Sequence, residues 1–338
     1  MSDLAISYSF PAEVNQEIRG LRQRFLLVGG IAAALCVIGA FLDWPQFVRS
    51  YLWSYLFFLG LTLGCMALNM LQFLTGGAWG VVIRRYCEAA SRTLPLLTVL
   101  FLPIVAGIPK LYVWSDAAEV ARDEVLRHKH VYLNVPFFLI RAALYFIGWM
   151  LLSHLLNKWS REQDESGGRA LNRRLQLISG PGLVWWGMSV TFMAIDWIMS
   201  ISPHWFSTMF GLLFIAGQGL NALAFVILLT VILARRKPLA DVITARHLHD
   251  LGKLMLAMVM GRPVINNTGF TGDFDPQLRF TSDGNTAGLA GSGPGPADPS
   301  QSNILAALQQ QLGLKLTLSE GPVEVLVIDR AERPTWVN

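Results

Sequence analysis

Six long apolar runs alternate with charged segments along the chain. The runs cover roughly residues 25–42, 51–74, 94–108, 131–156, 175–199 and 207–233. A helix needs about 20 mostly apolar residues to cross about 30 Å of hydrocarbon. The third run is short and contains Pro95, Pro103 and Pro109, so we expect this span to be kinked or tilted. The pattern predicts an all-α, multi-pass membrane helix bundle.

The pattern changes after the sixth run. Residues 251–260 (LGKLMLAMVM) are apolar like the start of a seventh span, but they end before a bilayer could be crossed. Residues 261–302 are polar and become rich in Gly, Pro and Ser, which is typical of a linker. Residues 303–312 have helical apolar spacing, and 323–328 (VEVLVI) have the composition of a strand. We therefore expect a partial seventh span and a small soluble α+β or disordered carboxyl-terminal tail.

Composition supports the membrane assignment. The chain is 53% hydrophobic and 15% charged, with a mean hydropathy of +0.44, whereas soluble domains carry about 25% charged residues. A net charge of +4 would suggest nucleic acid in a soluble protein, but here the basic residues lie between apolar runs. We therefore expect lipid, and no nucleic acid, as the partner. The three cysteines form no CxxC or CxxCH motif, so we expect no iron–sulfur cluster or c-type haem on this chain.

Lysine and arginine counts predict the orientation. Sixteen lie in the amino-terminal segment and in the loops after runs two, four and six, against five in the remaining loops. Because cytoplasmic loops carry the excess of Lys and Arg, the amino terminus is expected in the cytoplasm. The predicted regions are a cytoplasmic segment at 1–24, a transmembrane bundle at 25–260, a linker at 261–302 and a helix–strand tail at 303–338.

Two segments between the runs each allow two interpretations. Residues 75–93 (TGGAWGVVIRRYCEAASRT) predict either an interfacial helix anchored by Trp79 or a plain extension of the second span. Residues 114–134 are charged and carry His128 and His130, a spacing that occurs in metal sites. No third ligand is evident, so the sequence favours a solvated loop, and we predict no metal site.

Two charged residues lie inside the apolar runs. Asp196 is the only formally charged side chain in residues 175–234, and Arg141 lies about ten residues into the fourth run. A charge in hydrocarbon usually faces the bundle interior with a partner and marks a functional site; the alternative is that Asp196 is shallow enough to be solvated. At 1.5 Å per residue, Arg141 lies roughly 15 Å and Asp196 roughly 10 Å from the same surface. A pair is therefore possible, with Arg141 snorkelling alone as the rival.

Four motifs in order resemble one family. They are QFLTGGAWGVVIRRYCEA, KHVYLNVPFFLIRAALYF, DWIMSISPHWFSTMFG and LHDLGKLMLA. Together they resemble the NrfD-like (ActF-like) membrane subunit of bacterial alternative complex III, over residues 21–260. The resemblance implies a haem-free, multi-pass subunit of a quinol:cytochrome c (electron acceptor) oxidoreductase in the bacterial inner membrane. It also implies three kinds of partner: an iron–sulfur protein, c-type cytochromes and a sister NrfD-like subunit, which is the one usually given the quinol site.

The resemblance assigns possible roles to several residues. Asp196, Arg141, His204 and Trp197 become candidates for a proton path or for polar groups beside a quinol. If Arg141 pairs with Asp196, the carboxylate stays ionised and its role is structural or electrostatic; otherwise Asp196 could exchange protons. The neighbouring tryptophans either line a quinone cleft or form an aromatic belt. No cofactor is expected on this chain, although quinol is possible; haem c and iron–sulfur clusters are expected on partner subunits.

The chain departs from that family after residue 260, where the family continues with further spans. Residues 261–338 instead resemble the carboxyl end of an uncharacterised exported family of soil acidobacteria. The sequence is thus consistent with a truncated subunit fused to a second fragment. The alternatives are a non-functional fusion product, or a membrane transporter or channel, which buried charges and broken helices also permit. No inverted repeat is visible in the six runs, which disfavours transport.

Overall fold

The computed structural model describes residues 12–166, 169–234 and 243–260. Every regular element in these ranges is helical, as the apolar periodicity predicted. The α-helices are α1 (Ala12–Leu42), α2 (Trp44–Thr75), α3 (Ala78–Ser91), α4 (Leu94–Val99), α5 (Leu102–Ala106), α6 (Ile108–Leu111), α7 (Ala117–Arg122), α8 (Glu124–Lys129), α9 (Val135–Ser166), α10 (Arg169–Trp197), α11 (Phe210–Leu233) and α12 (Ala245–Met260).

Six segments are long and apolar enough to cross a membrane. They are Arg19–Leu42, Trp44–Thr75, Trp79–Ala106, Val135–Asp164, Leu171–Ile201 and Phe210–Leu233. The chain therefore has the character of a multi-pass membrane protein, and the predicted number of helical segments of spanning length, six, is confirmed. The third of them begins at Trp79 and not at residue 94 as predicted, because it includes α3. The helix α12 belongs to a second unit that begins at residue 241. It has 16 residues, about 24 Å of helix, which is short of a full span. The predicted linker and helix–strand tail lie outside the described residues.

Two glycines reverse the chain after α2. Gly76 and Gly77 have φ angles of +69° and +99°, a region in which residues with a Cβ are strained. The turn sends α3 back along α2, and Gly80 lies so close to Gln72 that an added Cβ would collide with that side chain. Of the two interpretations of this segment, the plain extension of the second span is wrong. The interfacial position of α3 remains a prediction.

The third span is broken at its prolines. Pro95, Pro103 and Pro109 each lie in the first turn of a short helix, in α4, α5 and α6 respectively. Proline is tolerated there because the first backbone N–H groups of a helix have no intrahelical acceptor. The predicted kink is therefore confirmed as a series of short helices, and this broken segment packs beside α2 and α9.

The long helices α2, α9, α10 and α11 form the centre of the bundle. A close approach of α2 to α11 requires Gly64, where an added Cβ would collide with the backbone carbonyl of Gln218. The innermost side chains include Trp149, Trp197 and Phe138, none of which is exposed. In contrast, α1 exposes large apolar side chains such as Phe25 (72%) and Leu42 (82%), as expected for a lipid-facing span.

Candidate functional site

Arg141 on α9 and Asp196 on α10 form a buried ion pair, which we call the Asp196 pair. The guanidinium Nε lies 2.8 Å from Oδ2, and Nη2 lies 3.0 Å from Oδ1. The Asp196 side chain is fully buried, and that of Arg141 is 8% exposed. Two parallel N–H···O bonds give the strongest geometry available to this pair of groups. The pair predicted from helix depth is therefore present, and Arg141 does not snorkel alone.

Other groups complete the hydrogen bonding of both partners. Tyr145 lies one turn after Arg141 on α9, and its hydroxyl donates to Asp196 Oδ2 at 2.8 Å. Arg141 also donates through Nη1 to the backbone carbonyl of Tyr132 at 3.0 Å. The guanidinium carbon lies 3.9 Å from the centre of the Tyr132 ring and 4.3 Å from that of Phe137, which adds cation–π attraction. The carboxylate thus accepts three hydrogen bonds and its charge is balanced.

The end of α10 is held by two hydroxyl groups. Ser200 donates to the backbone carbonyl of Asp196, and Tyr112 donates to that of Trp197 at 2.9 Å. The last carbonyls of a helix have no intrahelical donor, so these bonds cap α10 beside the Asp196 pair. Burial raises the pKa of Tyr112, and the negative charge of Asp196 raises it further. Tyr112 therefore remains a protonated donor.

Trp197 packs among aromatic rings. Its ring centre lies 4.5 Å from that of Phe101, 5.7 Å from Phe146 and 6.4 Å from Tyr145. The indole is fully buried, and its N–H has no acceptor among the described residues. Such rings contribute mainly through packing. The structure thus places Trp197 in the core beside the Asp196 pair.

His204 contacts Asp123 rather than the Asp196 pair. It lies between α10 and α11, its side chain is 62% exposed, and its Nε2 lies 2.8 Å from Asp123 Oδ2. Desolvation acts to raise the pKa of Asp123, but the backbone N–H groups of Leu126 and Val125 and the neighbouring His204 outweigh it and lower the pKa. Lys129 donates to the carbonyl of Pro203. These contacts tie α8 to the loop between α10 and α11.

Sequence reasoning missed a second buried carboxylate, Glu88 on α3. It is 1% exposed and accepts hydrogen bonds from Arg84 Nε at 3.0 Å, from Arg85 Nη1 at 2.7 Å and from the Ser160 hydroxyl. We call these four residues the Glu88 cluster. The sequence contains a signal for this cluster: Arg84 and Arg85 precede Glu88 by four and three residues, and side chains at these spacings meet on a helix. The sequence interpretation instead has both arginines facing the cytoplasm, as part of the basic count and of the candidate interfacial helix.

A polar network continues from the Glu88 cluster toward α4. Asn157 on α9 donates to Ser91 Oγ at 2.9 Å and to the Ser153 carbonyl at 2.7 Å. Arg92 Nε donates to Asn157 Oδ1 at 2.8 Å. Asn157, Ser91 and Ser153 are buried, so their satisfied hydrogen bonds fix the end of α3 against α9.

The described residues contain no group of three or more His, Cys, Asp or Glu side chains with metal-binding geometry. His128 and His130, the pair considered as a metal site, are both exposed near the end of α8.

One family model matches the chain, and it covers the carboxyl-terminal part. Residues 236–331 match a family described as a protein of unknown function, DUF3738. The match begins before the junction predicted near residue 260 and includes α12, so the LHDLGKLMLA motif falls within it. Residues 1–235, which contain the six spans, lie outside the match. No curated protein matches the chain.

Proposed function

We propose that this chain is an integral membrane subunit of a quinol:electron-acceptor oxidoreductase, truncated after its sixth span, in a bacterial inner membrane. The observation that carries the proposal is the meeting of two family-like motifs at one buried point. Tyr132, Arg141 and Tyr145 come from KHVYLNVPFFLIRAALYF, whereas Asp196 comes from DWIMSISPHWFSTMFG. Charges inside a membrane bundle are costly, so a completed site of this kind supports a functional role.

The geometry favours a bracing role for the Asp196 pair over proton exchange. Asp196 accepts two hydrogen bonds from Arg141 and one from Tyr145, so a proton arriving at the carboxylate would have to displace a donor. In this proposal the pair holds α9 to α10. The adjoining segments are braced as well, because His204 contacts Asp123 and Lys129 contacts Pro203. In this proposal, α8 and the loop between α10 and α11 would form a fixed surface for the soluble redox partners.

The partners follow from this proposal. An iron–sulfur protein and c-type cytochromes would carry the redox centres, while a sister NrfD-like subunit would share the membrane with this chain. This chain would support quinol oxidation and proton passage without a redox centre of its own. Quinol would bind here or at the sister subunit. The alternative functions are a transporter or channel and a fusion product without function.

Affinity purification from native membranes tests the proposal. The full chain carrying a tag is solubilised in mild detergent, and the eluate is examined for the visible absorption of haem c and for the paramagnetic resonance of iron–sulfur clusters. We expect both signals in fixed ratio to the tagged chain. An unrelated tagged multi-pass protein is the control. Recovery of a stable chain without partners would contradict the proposal and favour transport, whereas absence from the membrane fraction would favour a non-functional fusion product.

Orientation is tested by cysteine labelling. The proposed orientation has the amino terminus and the end of α9 in the cytoplasm, and the Lys and Arg counts support it. Single cysteines replace Ser166 or Ser202 in a Cys36→Ser background, because Cys36 is exposed whereas Cys65 and Cys87 are buried. A membrane-impermeant maleimide added to intact cells with a permeable outer membrane should label position 202 and not position 166. The reverse result would show that the orientation is wrong.

A further inference from the structure

A cavity of about 380 Å³ lies between α4 and the second half of α9, away from the Asp196 pair. One part of its lining is basic and is formed by Arg92, His154, Lys158 and Arg161. The single acidic side chain in the lining is Glu162, whose carboxylate lies 3.9 Å from Lys158 Nζ. Three permanent positive charges against one negative charge make this cavity suited to an anion.

One member of the basic wall, Arg92, is held in place before any ligand arrives. Arg92 donates through Nε to Asn157, and Asn157 is itself fixed by the carbonyl of Ser153 and the hydroxyl of Ser91. The two terminal nitrogens of Arg92 form no hydrogen bond to another described residue. A guanidinium presents those nitrogens in a planar fork that matches the oxygens of a phosphate.

The opposite wall is apolar and leads to the lipid-facing surface. Leu94, Pro95 and Met150 line the cavity. Further along the same two helices, exposed apolar side chains continue the surface: Leu96 (60%), Val99 (60%), Ile147 (58%) and Leu151 (56%). A free phosphate ion would use only the basic wall, whereas a phospholipid would use the basic wall for its headgroup and the apolar flank for its acyl chains.

We propose that this cavity binds the phosphate of an anionic glycerophospholipid, with the acyl chains lying along the exposed flank of α4 and α9. Basic pockets between membrane helices on the cytoplasmic side are suited to acidic headgroups. The excess of Lys and Arg places this end of the bundle on that side. The proposal does not depend on quinol chemistry, because it uses only the charge and shape of the cavity.

Native mass spectrometry of the purified full chain tests this site. The chain in mild detergent is titrated with phosphatidylglycerol or phosphatidylcholine. Arg161→Gln with Lys158→Gln removes two cations and leaves the hydrogen bond from Arg92 to Asn157 untouched. We expect phosphatidylglycerol to bind in preference to phosphatidylcholine, and each removed cation to weaken that binding about fivefold. Arg92→Gln should weaken it as well.

The control removes two exposed cations outside the cavity, Arg173→Gln with Arg127→Gln. This variant carries the same change in net charge and should bind phosphatidylglycerol like the unaltered chain. If the control lost as much affinity for phosphatidylglycerol as the cavity variant, the proposed lipid site would be wrong. Equal binding of phosphatidylglycerol and phosphatidylcholine would also contradict it. Inorganic phosphate is tested as a competitor at millimolar concentration. Complete displacement of phosphatidylglycerol by inorganic phosphate would show an anion site without a lipid role.

Discussion

The Asp196 pair and the Glu88 cluster both contain a carboxylate that is almost fully buried beside arginine, yet their surroundings differ. Asp196 is bound by an arginine on another helix, and that arginine is 8% exposed. Glu88 is bound by arginines three and four residues earlier on its own helix, and Arg85 is 49% exposed. At the Asp196 pair, both the arginine and the carboxylate are shielded from solvent. At the Glu88 cluster, Arg85 reaches solvent.

This difference determines what happens when one partner is removed. At the Asp196 pair, the remaining charge would be left buried, and no second charged group forms an ion pair with either residue in the described part of the chain. At the Glu88 cluster, Arg85 can be hydrated and retains its contact with Asp164. The same chemical groups are therefore expected to contribute very differently to stability, and the burial of the arginine, more than that of the carboxylate, separates the two sites.

The largest effect is expected at the Asp196 pair. Asp196→Asn or Arg141→Gln should each lower the free energy of unfolding by about 3–5 kcal/mol, because each strands a buried charge. The measurement is unfolding of the detergent-solubilised chain, followed by tryptophan fluorescence. Arg122→Gln is a matched control, since Arg122 is 75% exposed, and it should leave the stability nearly unchanged. Losses below about 1 kcal/mol in both pair variants would mean that the site is solvated.

A smaller effect is expected at the Glu88 cluster. Glu88→Gln keeps the shape of the side chain and a hydrogen-bonding oxygen but removes the charge, so we expect a loss of about 1–3 kcal/mol. The same unfolding assay measures it. If Glu88→Gln cost as much as Asp196→Asn, solvent access would not be what distinguishes the two sites.

The smallest effect is expected at the exposed pair of His204 and Asp123. Because the pKa of Asp123 is lowered in the folded chain, its contribution is present above the ordinary carboxylate pKa and is lost as the pH falls through the lowered value. Asp123→Asn should change Tm by at most about 2 °C at neutral pH. The difference from the unaltered chain should vanish in strong acid. A difference that instead grew as the pH fell below the ordinary carboxylate pKa would contradict the assigned sign.

The sequence predicted the spans because apolar length is a strong signal for a membrane helix. It also placed the break in the third span, since proline limits where a helix can continue. The Asp196 pair could be predicted from the sequence for a similar reason. One carboxylate and one arginine lie at comparable depth in their apolar runs, so each has few other candidates for an ion pair. Their uncharged neighbour Tyr145 was not identified, although it lies four residues after Arg141 on the same helix face.

Other contacts depend on packing that the sequence does not encode locally. Phe101 approaches Trp197 only because the broken third span lies against α10, and no spacing along the chain indicates that. Likewise, the resemblance makes His204 a candidate together with Asp196, with which it shares a motif, whereas its contact Asp123 lies in a different loop. The reversal at Gly76 and Gly77 was visible as two glycines, but the direction of α3 depends on the turn they adopt.

A double-mutant cycle on Arg141 and Asp196 tests most directly whether these two residues act as one buried unit. The free energy of unfolding is measured for Asp196→Asn, for Arg141→Gln and for the two changes together. Because the double variant leaves no stranded charge, it should cost clearly less than the sum of the single variants, with a coupling of at least about 2 kcal/mol. Additive costs, within about 0.5 kcal/mol, would contradict the pairing.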